Sequence, residues 1–169
     1  MSDGITRAKR AMVWPKCPEC GESGWINMGL EEFKGNILTG EEKQYRLKTY
    51  YEEKKEGYID KAITPFLEMI NEFPFIMTTQ SCCGHGEDIE CPEHGRRAHI
   101  DFRCMLSVED TIDKILRPFT EKHYHSVSCQ LMMECDRLRY CLWIDNDRWK
   151  QQLADLLDIL RDVDGAGDV

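Results

Sequence analysis

Two pentapeptides in this chain differ by a single metal-binding residue: Cys17-Pro18-Glu19-Cys20-Gly21 and Cys91-Pro92-Glu93-His94-Gly95. The two-residue gap lets both side chains converge on one ion. The proline stiffens the turn, and the glycine allows the tight backbone that aims amides at a thiolate. Cys17, Cys20, Cys91 and His94 together form a closed tetrahedral set suited to structural zinc. Such a site would tie the N-terminal segment to the middle of the chain and convert metal binding into folding free energy. A second assignment stays open, in which Cys82, Cys83 or His85 joins Cys91 and His94 in a local site while Cys17 and Cys20 serve another ion.

Upstream of the second pentapeptide, Thr78-Thr79-Gln80-Ser81-Cys82-Cys83-Gly84-His85-Gly86 gathers hydroxyl, thiol and imidazole groups beside two glycines. Glycine is costly in regular elements and useful where backbone bends sharply or approaches a ligand. The stretch 78–86 is therefore expected to be a ligand-binding or catalytic loop. Thr78, Thr79, Cys82, Gly84 and Gly86 would surround the ligand, with amides near the glycines holding an anionic or polar group. Ser81 and His85 are the catalytic candidates, His85 as proton carrier or hydrogen-bonding residue. Two readings compete: nucleophilic catalysis by Cys82 or Cys83 with a histidine, and a structural loop wrapped on zinc.

The elements that must position these residues follow from periodicity and punctuation. Glu41 to Lys55 lacks Pro and Gly and carries Leu47, Tyr50, Tyr51 and Lys54 at helical spacing, with Gly57 as its stop. Tyr58 to Glu72 has a broad apolar stripe, interrupted by Pro65, where a kink or break is expected. Phe75 to Thr79 reads as a strand, and Arg97 to Leu106 as another, with Ala98, Ile100, Phe102 and Cys104 on one face and His99, Asp101 and Arg103 on the other. Ser107 begins a helix to Lys122 that Pro118 ends or bends. Ser126–Glu134 and Leu138–Ile144 form a hairpin. Asp145 or Asn146 is expected to cap a last helix through Leu160, with fraying from Asp162 onward. The predicted fold is α+β, a mixed or antiparallel sheet with packed helices in the order α-α-β-loop-β-α-β-β-α, plus an N-terminal zinc-knuckle hairpin. The expected division is 1–40 for the hairpin and its connector, packed on the main domain, 41–163 for the α+β core, and 164–169 for a flexible tail.

With 169 residues, 41% of them hydrophobic and 31% charged, the chain has material for one core. No apolar run approaches the roughly 20 residues that span a bilayer, so no membrane partner is expected. The N-terminus shows no apolar signal region, which predicts a cytoplasmic, reducing location. Nine cysteines there argue for metal ligation and packing over disulfides. Cys104, Cys129, Cys135 and Cys141, beside apolar runs, are assigned to packing. A formal net charge of −9 excludes general attraction to nucleic acid phosphates.

One stretch resembles a known family. Gly57-Tyr58-Ile59-Asp60, Ile70-Asn71 and Phe73-Pro74-Phe75-Ile76-Met77-Thr78-Thr79-Gln80-Ser81-Cys82-Cys83-Gly84 are similar to the N-terminal part of the wybutosine-synthesising protein three family of tRNA methyltransferases. There a helix ending in Ile-Asn leads to a strand and the motif Thr-Thr-Ser-Ser-Cys-Ser-Gly-Arg. Thr78, Thr79, Ser81, Cys82 and Gly84 fall on that motif, Gln80 and Cys83 replace serines, and His85 replaces the arginine. The resemblance implies an α/β fold, S-adenosylmethionine as cofactor, and N-methylation of a tricyclic guanosine derivative in tRNA. The resulting expectation is a zinc-stabilised protein with a ligand-binding or catalytic loop, a divergent tRNA-modifying methyltransferase-like enzyme whose partner is tRNA or a small molecule. Its alternative is a non-enzymatic adaptor that uses the loop and knuckles as a recognition surface.

Overall fold

Alternating strands and amphipathic helices assemble into one antiparallel sheet with helices packed on it, in the computed structural model, which describes residues 9–13, 36–83, 98–134, 137–145 and 147–167. The strands are β1 (Lys9–Val13), β2 (Ile76–Cys82), β3 (Ala98–Cys104), β4 (Ser128–Glu134) and β5 (Arg137–Ile144), in the spatial order β1-β4-β5-β3-β2. Every pairing is antiparallel. The helices are α1 (Gly40–Glu56), α2 (Thr64–Glu72), α3 (Val108–Thr111), a π-helical turn (Ile112–Leu116), α4 (Arg117–Lys122) and α5 (Trp149–Gly165). The α+β class and the order of elements from α1 onward follow the sequence expectation. Among the described residues no helix is long and apolar enough to cross a membrane.

Several boundaries differ for physical reasons. Pro65 does not kink a longer helix. It occupies the first turn of α2, where its missing N–H has no intrahelical partner to lose. Residues before it form turns around Asp60, whose carboxylate accepts from Ala62 N and whose carbonyl accepts from Thr64 Oγ1. Pro118 likewise opens α4, and the π-helical turn ahead of it, with Arg117 N bonded to Ile112 O, absorbs the extra residue without ending the helical path. Asp145 does not cap α5; Arg148 stands at the N-cap with no side-chain bond. Asp145 instead accepts from Asp147 N and donates its own N–H to Gln152 Oε1. Helix α5 continues to Gly165, past the expected fraying point and into the stretch assigned to the tail. Lys9–Val13 pairs along β4 as a fifth strand, a pairing the sequence reading did not include.

Residues paired across neighbouring strands share a face of the sheet. One face collects Ile76, Ile100, Phe102, Leu142, Ile144 and Leu131, all fully buried with Ile63, Leu67 and Ile70 of α2, the apolar residues of α3 through α4, and Leu153, Leu156 and Leu160 of α5. The other face carries Asp101, Arg103, His99, Cys141 and Arg139. Strand β3 is buried at every residue, so its polar side is covered as well. Cys104, Cys129 and Cys141 are buried, as their apolar neighbours predicted. Cys135 lies outside the described residues.

Polar α1 is held to the sheet by two buried cations. Arg103 forms a two-pronged pair with Glu42, Nε to Oε1 at 2.9 Å and NH2 to Oε2 at 3.0 Å. Its remaining bonds go to Leu138 O and Asn36 O. Lys43, only 6% exposed, donates Nζ to the carbonyls of Asn71 at 3.0 Å, Phe73, and Ile76 at 2.8 Å. An ammonium there meets orphan carbonyls at the C-terminal end of α2, where a positive charge is favoured. Burial pulls the Lys43 pKa below its usual value, against the charge of Cys104. Thr39 opens α1 by accepting from Glu42 N, and Gly57 closes it at a φ of 82°, a left-handed position that favours glycine.

Candidate functional site

Strand β2 is the edge of the sheet, and its outward backbone groups are met by side chains at both ends. Met105 N donates to Phe75 O, so residues 75 and 77 turn their polar groups toward β3 while Ile76 and Thr78 turn theirs outward. Ile76 O is taken by Lys43. Thr78 N and its hydroxyl both donate to Asn71 Oδ1, at 2.8 and 3.0 Å. At the far end, Cys83 N donates to Asp60 Oδ2 at 3.4 Å. Between these anchors the register shifts at Thr79, a bulge, after which Gln80 faces Asp101, Ser81 faces Ile100 and Cys82 faces His99.

A cleft of about 560 Å³ runs along this edge. Residues 78–82 and His99 make one wall, Arg46, Thr49, Tyr50 and Glu53 of α1 the other, and Tyr58 and Ile59 also line it. Tyr50 is 6% exposed, yet its hydroxyl meets no partner among the described residues; the same holds for the buried Thr79 Oγ1. Burial first, then the charges of Glu68 and Tyr51, push the Tyr50 phenol up to about 12. It therefore stays protonated near neutrality and can donate a hydrogen bond. Arg46 adds a charged donor and no acceptor.

Behind His99 the polar face of β3 continues. The His99 ring lies 4.9 Å from the Trp143 ring. Asp101, on the same face, sits 3.4 Å from Arg139 Nε. Burial raises the Asp101 pKa, against a bond from Cys141 and the charges of Arg139 and His99. Cys82 and His99 occupy facing positions across β2 and β3, and both line the cleft.

The residues expected to form the site divide into three groups. Thr79, Ser81 and Cys82 line the cleft, as strand residues of β2 and not as part of a loop. Thr78 lines it too, but it is buried and bonded to Asn71. Gly84, His85 and Gly86, with the metal set Cys17, Cys20, Cys91 and His94, lie outside the described residues. Among the described residues no group of three or more His, Cys, Asp or Glu side chains could hold a metal ion.

Neither type nor spacing marks Arg46 or Tyr50 as a site residue, and the spacing of His99 and Asp101, which could suit a metal, is completed by no further ligand and reads as surface or packing. Tyr50 was visible as part of the α1 stripe, and His99 as a polar residue on an alternating strand. Nothing local in the sequence joins them to residue 79. Compared with protein-family models, with curated proteins and with solved structures, the chain gives no match.

Proposed function

We propose that this chain is a zinc-stabilised α+β protein that binds a small polar ligand in the cleft against β2. Residues 78–82 of the stretch expected to bind ligand supply one wall. The observation that carries the reading is that Tyr50 and Thr79 both line one cavity and that each carries a buried hydroxyl without a partner among the described residues. Buried polar groups are nearly always bonded in native proteins, and leaving one bare costs about 1–3 kcal/mol. A ligand with acceptor atoms supplies the missing partners, and Arg46 beside them favours an acceptor-rich or anionic group.

The resemblance over residues 57–84 names the first candidate, S-adenosylmethionine, and the first reaction, methyl transfer in tRNA modification. In that reaction Ser81 and His85 are the catalytic residues. Zinc bound by Cys17, Cys20, Cys91 and His94 would fix the chain that follows β2, a part of the proposal that rests on the ligand set alone.

A thermal-shift screen with S-adenosylmethionine and nucleotides, on protein of measured zinc content, tests the cleft. A rise in Tm that is lost in Tyr50→Phe and Thr79→Ala is expected. Tyr50→Phe itself should stabilise the ligand-free protein by about 1–3 kcal/mol, because it removes a buried hydroxyl that has no partner among the described residues. The absence of a response to every ligand sinks the pocket reading. Transfer of a labelled methyl group to tRNA distinguishes the enzyme from a binding protein. A macromolecule recovered from lysate, with no small-ligand response, favours the adaptor. Zinc-free purified protein whose stability a chelator leaves unchanged removes the metal.

A further inference from the structure

A second concavity, of about 750 Å³, shares Arg46 with the first. Arg46, Arg103 and Arg137 all line it, a concentration of guanidinium groups in a chain of formal net charge −9. Arg103 is committed to Glu42, Asn36 O and Leu138 O, and that pairing uses the Glu42 carboxylate in turn. Burial and the like charges of Arg137 and Arg46, against the pull of Glu42, hold the Arg103 pKa below its ordinary value. The three cations are therefore within electrostatic reach of one another. Glu41 is the remaining acidic side chain of the lining, and among the described residues neither Arg46 nor Arg137 has a side-chain hydrogen bond or ion pair.

The walls add a second observation. Four large apolar side chains are exposed among the described residues, and two of them, Ile37 at 40% and Tyr45 at 69%, line this cleft. Guanidinium forks suit phosphate and carboxylate oxygens, and an aromatic face beside them suits a flat organic body. Arg137 is held at the cleft by the backbone bridge between its residue and Asn36.

We propose that this cleft binds a small organic anion, a phosphate or carboxylate carried on an aromatic body, with Arg46 and Arg137 on the anion and Tyr45 and Ile37 against the ring. The site adjoins the ligand cleft beside β2 and shares Arg46 with it, while Ile37, Tyr45 and Arg137 line this concavity alone.

Isothermal titration of the full chain with phenyl phosphate, benzoate, inorganic phosphate and phenol tests this. Phenyl phosphate or benzoate should bind more tightly than inorganic phosphate or phenol, and the order of the first two identifies the preferred anion. Arg137→Gln and Arg46→Gln should each weaken binding by about tenfold, the loss of one charge-assisted bond. Tyr45→Ala should abolish the preference of phenyl phosphate over inorganic phosphate. Tyr50→Phe should leave all four affinities unchanged, which separates this site from the cleft beside β2. Arg137 is exposed, so its substitution reads binding without disturbing the core. No binding of either aromatic anion overturns the proposal, as does binding that Arg137→Gln and Arg46→Gln leave intact. Inorganic phosphate binding as tightly as phenyl phosphate overturns the aromatic body.

Discussion

On one face of the sheet, Ile100, Phe102, Leu142 and Ile144 meet the helices through hydrocarbon; on the other, Asp101 and Arg103 are buried and ion-paired with Arg139 and Glu42. Strand β3 serves both faces, so the contrast is between two means of covering one strand. Hydrocarbon contact is roughly proportional to area and carries little direction. The polar face is directional: Arg103 can satisfy Glu42, Asn36 O and Leu138 O only if α1, the segment before it and β5 stand in one arrangement. The apolar face supplies cohesion, and the polar face fixes where α1 sits. Both clefts have α1 as a wall, so their shape depends on the second.

Unequal responses to substitution would sharpen that contrast. The largest loss is expected from Phe102→Ala on the apolar face, about 4 kcal/mol in urea unfolding, because the void closes only in part. Next comes Arg103→Leu, about 3 kcal/mol, since Glu42 would be left half-buried without its cation. The double variant with Glu42→Leu should regain most of that loss. If the double variant is as unstable as the single, the pair is not what holds α1. Lys43→Met should cost about 2 kcal/mol, by leaving the carbonyls of Asn71, Phe73 and Ile76 without their donor.

The smallest effect concerns acid. Burial lowers the His123 pKa despite Asp155, 3.0 Å away. The unfolded chain therefore takes the proton more readily, and stability falls as pH drops below 6.5 toward the lower folded value. Against a desolvation that raises it, bonds from Lys122 and Gln151 and the charges of Lys122 and His123 hold the Asp155 carboxyl low. Its contribution is present above 3.8 and is lost as pH falls through the depressed value. Asp101, raised by burial, acts in the opposite sense. A His123→Asn variant should flatten the upper window of the stability curve and also narrow the lower one, because it removes one of the charges that hold Asp155 low.

Much of the fold was legible because its signals are local. The spacing in α1, the stop at Gly57 and the alternation of β3 each need only a few neighbouring residues. Pro65 and Pro118 show that a proline inside an apolar stripe looks the same in sequence whether it breaks a helix or begins one. The difference lies in whether the turn before it is helical. Thr78–Cys82 was expected to be mostly loop because it is polar and glycines follow it. Polar residues are at home there because the strand is an edge, and an edge is a property of the assembled sheet. The site was half legible for the same reason: Thr79, Ser81 and Cys82 announce themselves by type, whereas Arg46, Tyr50 and His99 reach them only through packing.

The bulge at Thr79 decides which residue stands opposite His99 in the register. Counting evenly back from the Thr78–Phe102 pair, residue 79 would face Asp101 and Ser81 would face His99. The one extra residue changes the parity of everything after it, so Cys82 takes the place opposite His99 and Ser81 passes to the other side of the sheet. Thiol and hydroxyl are thus exchanged by a count of one, with no change in the identity of either. Deleting Thr79 would remove the bulge and leave Gln80, Ser81 and Cys82 opposite Asp101, Ile100 and His99, so the thiol keeps its place once the extra residue is counted out.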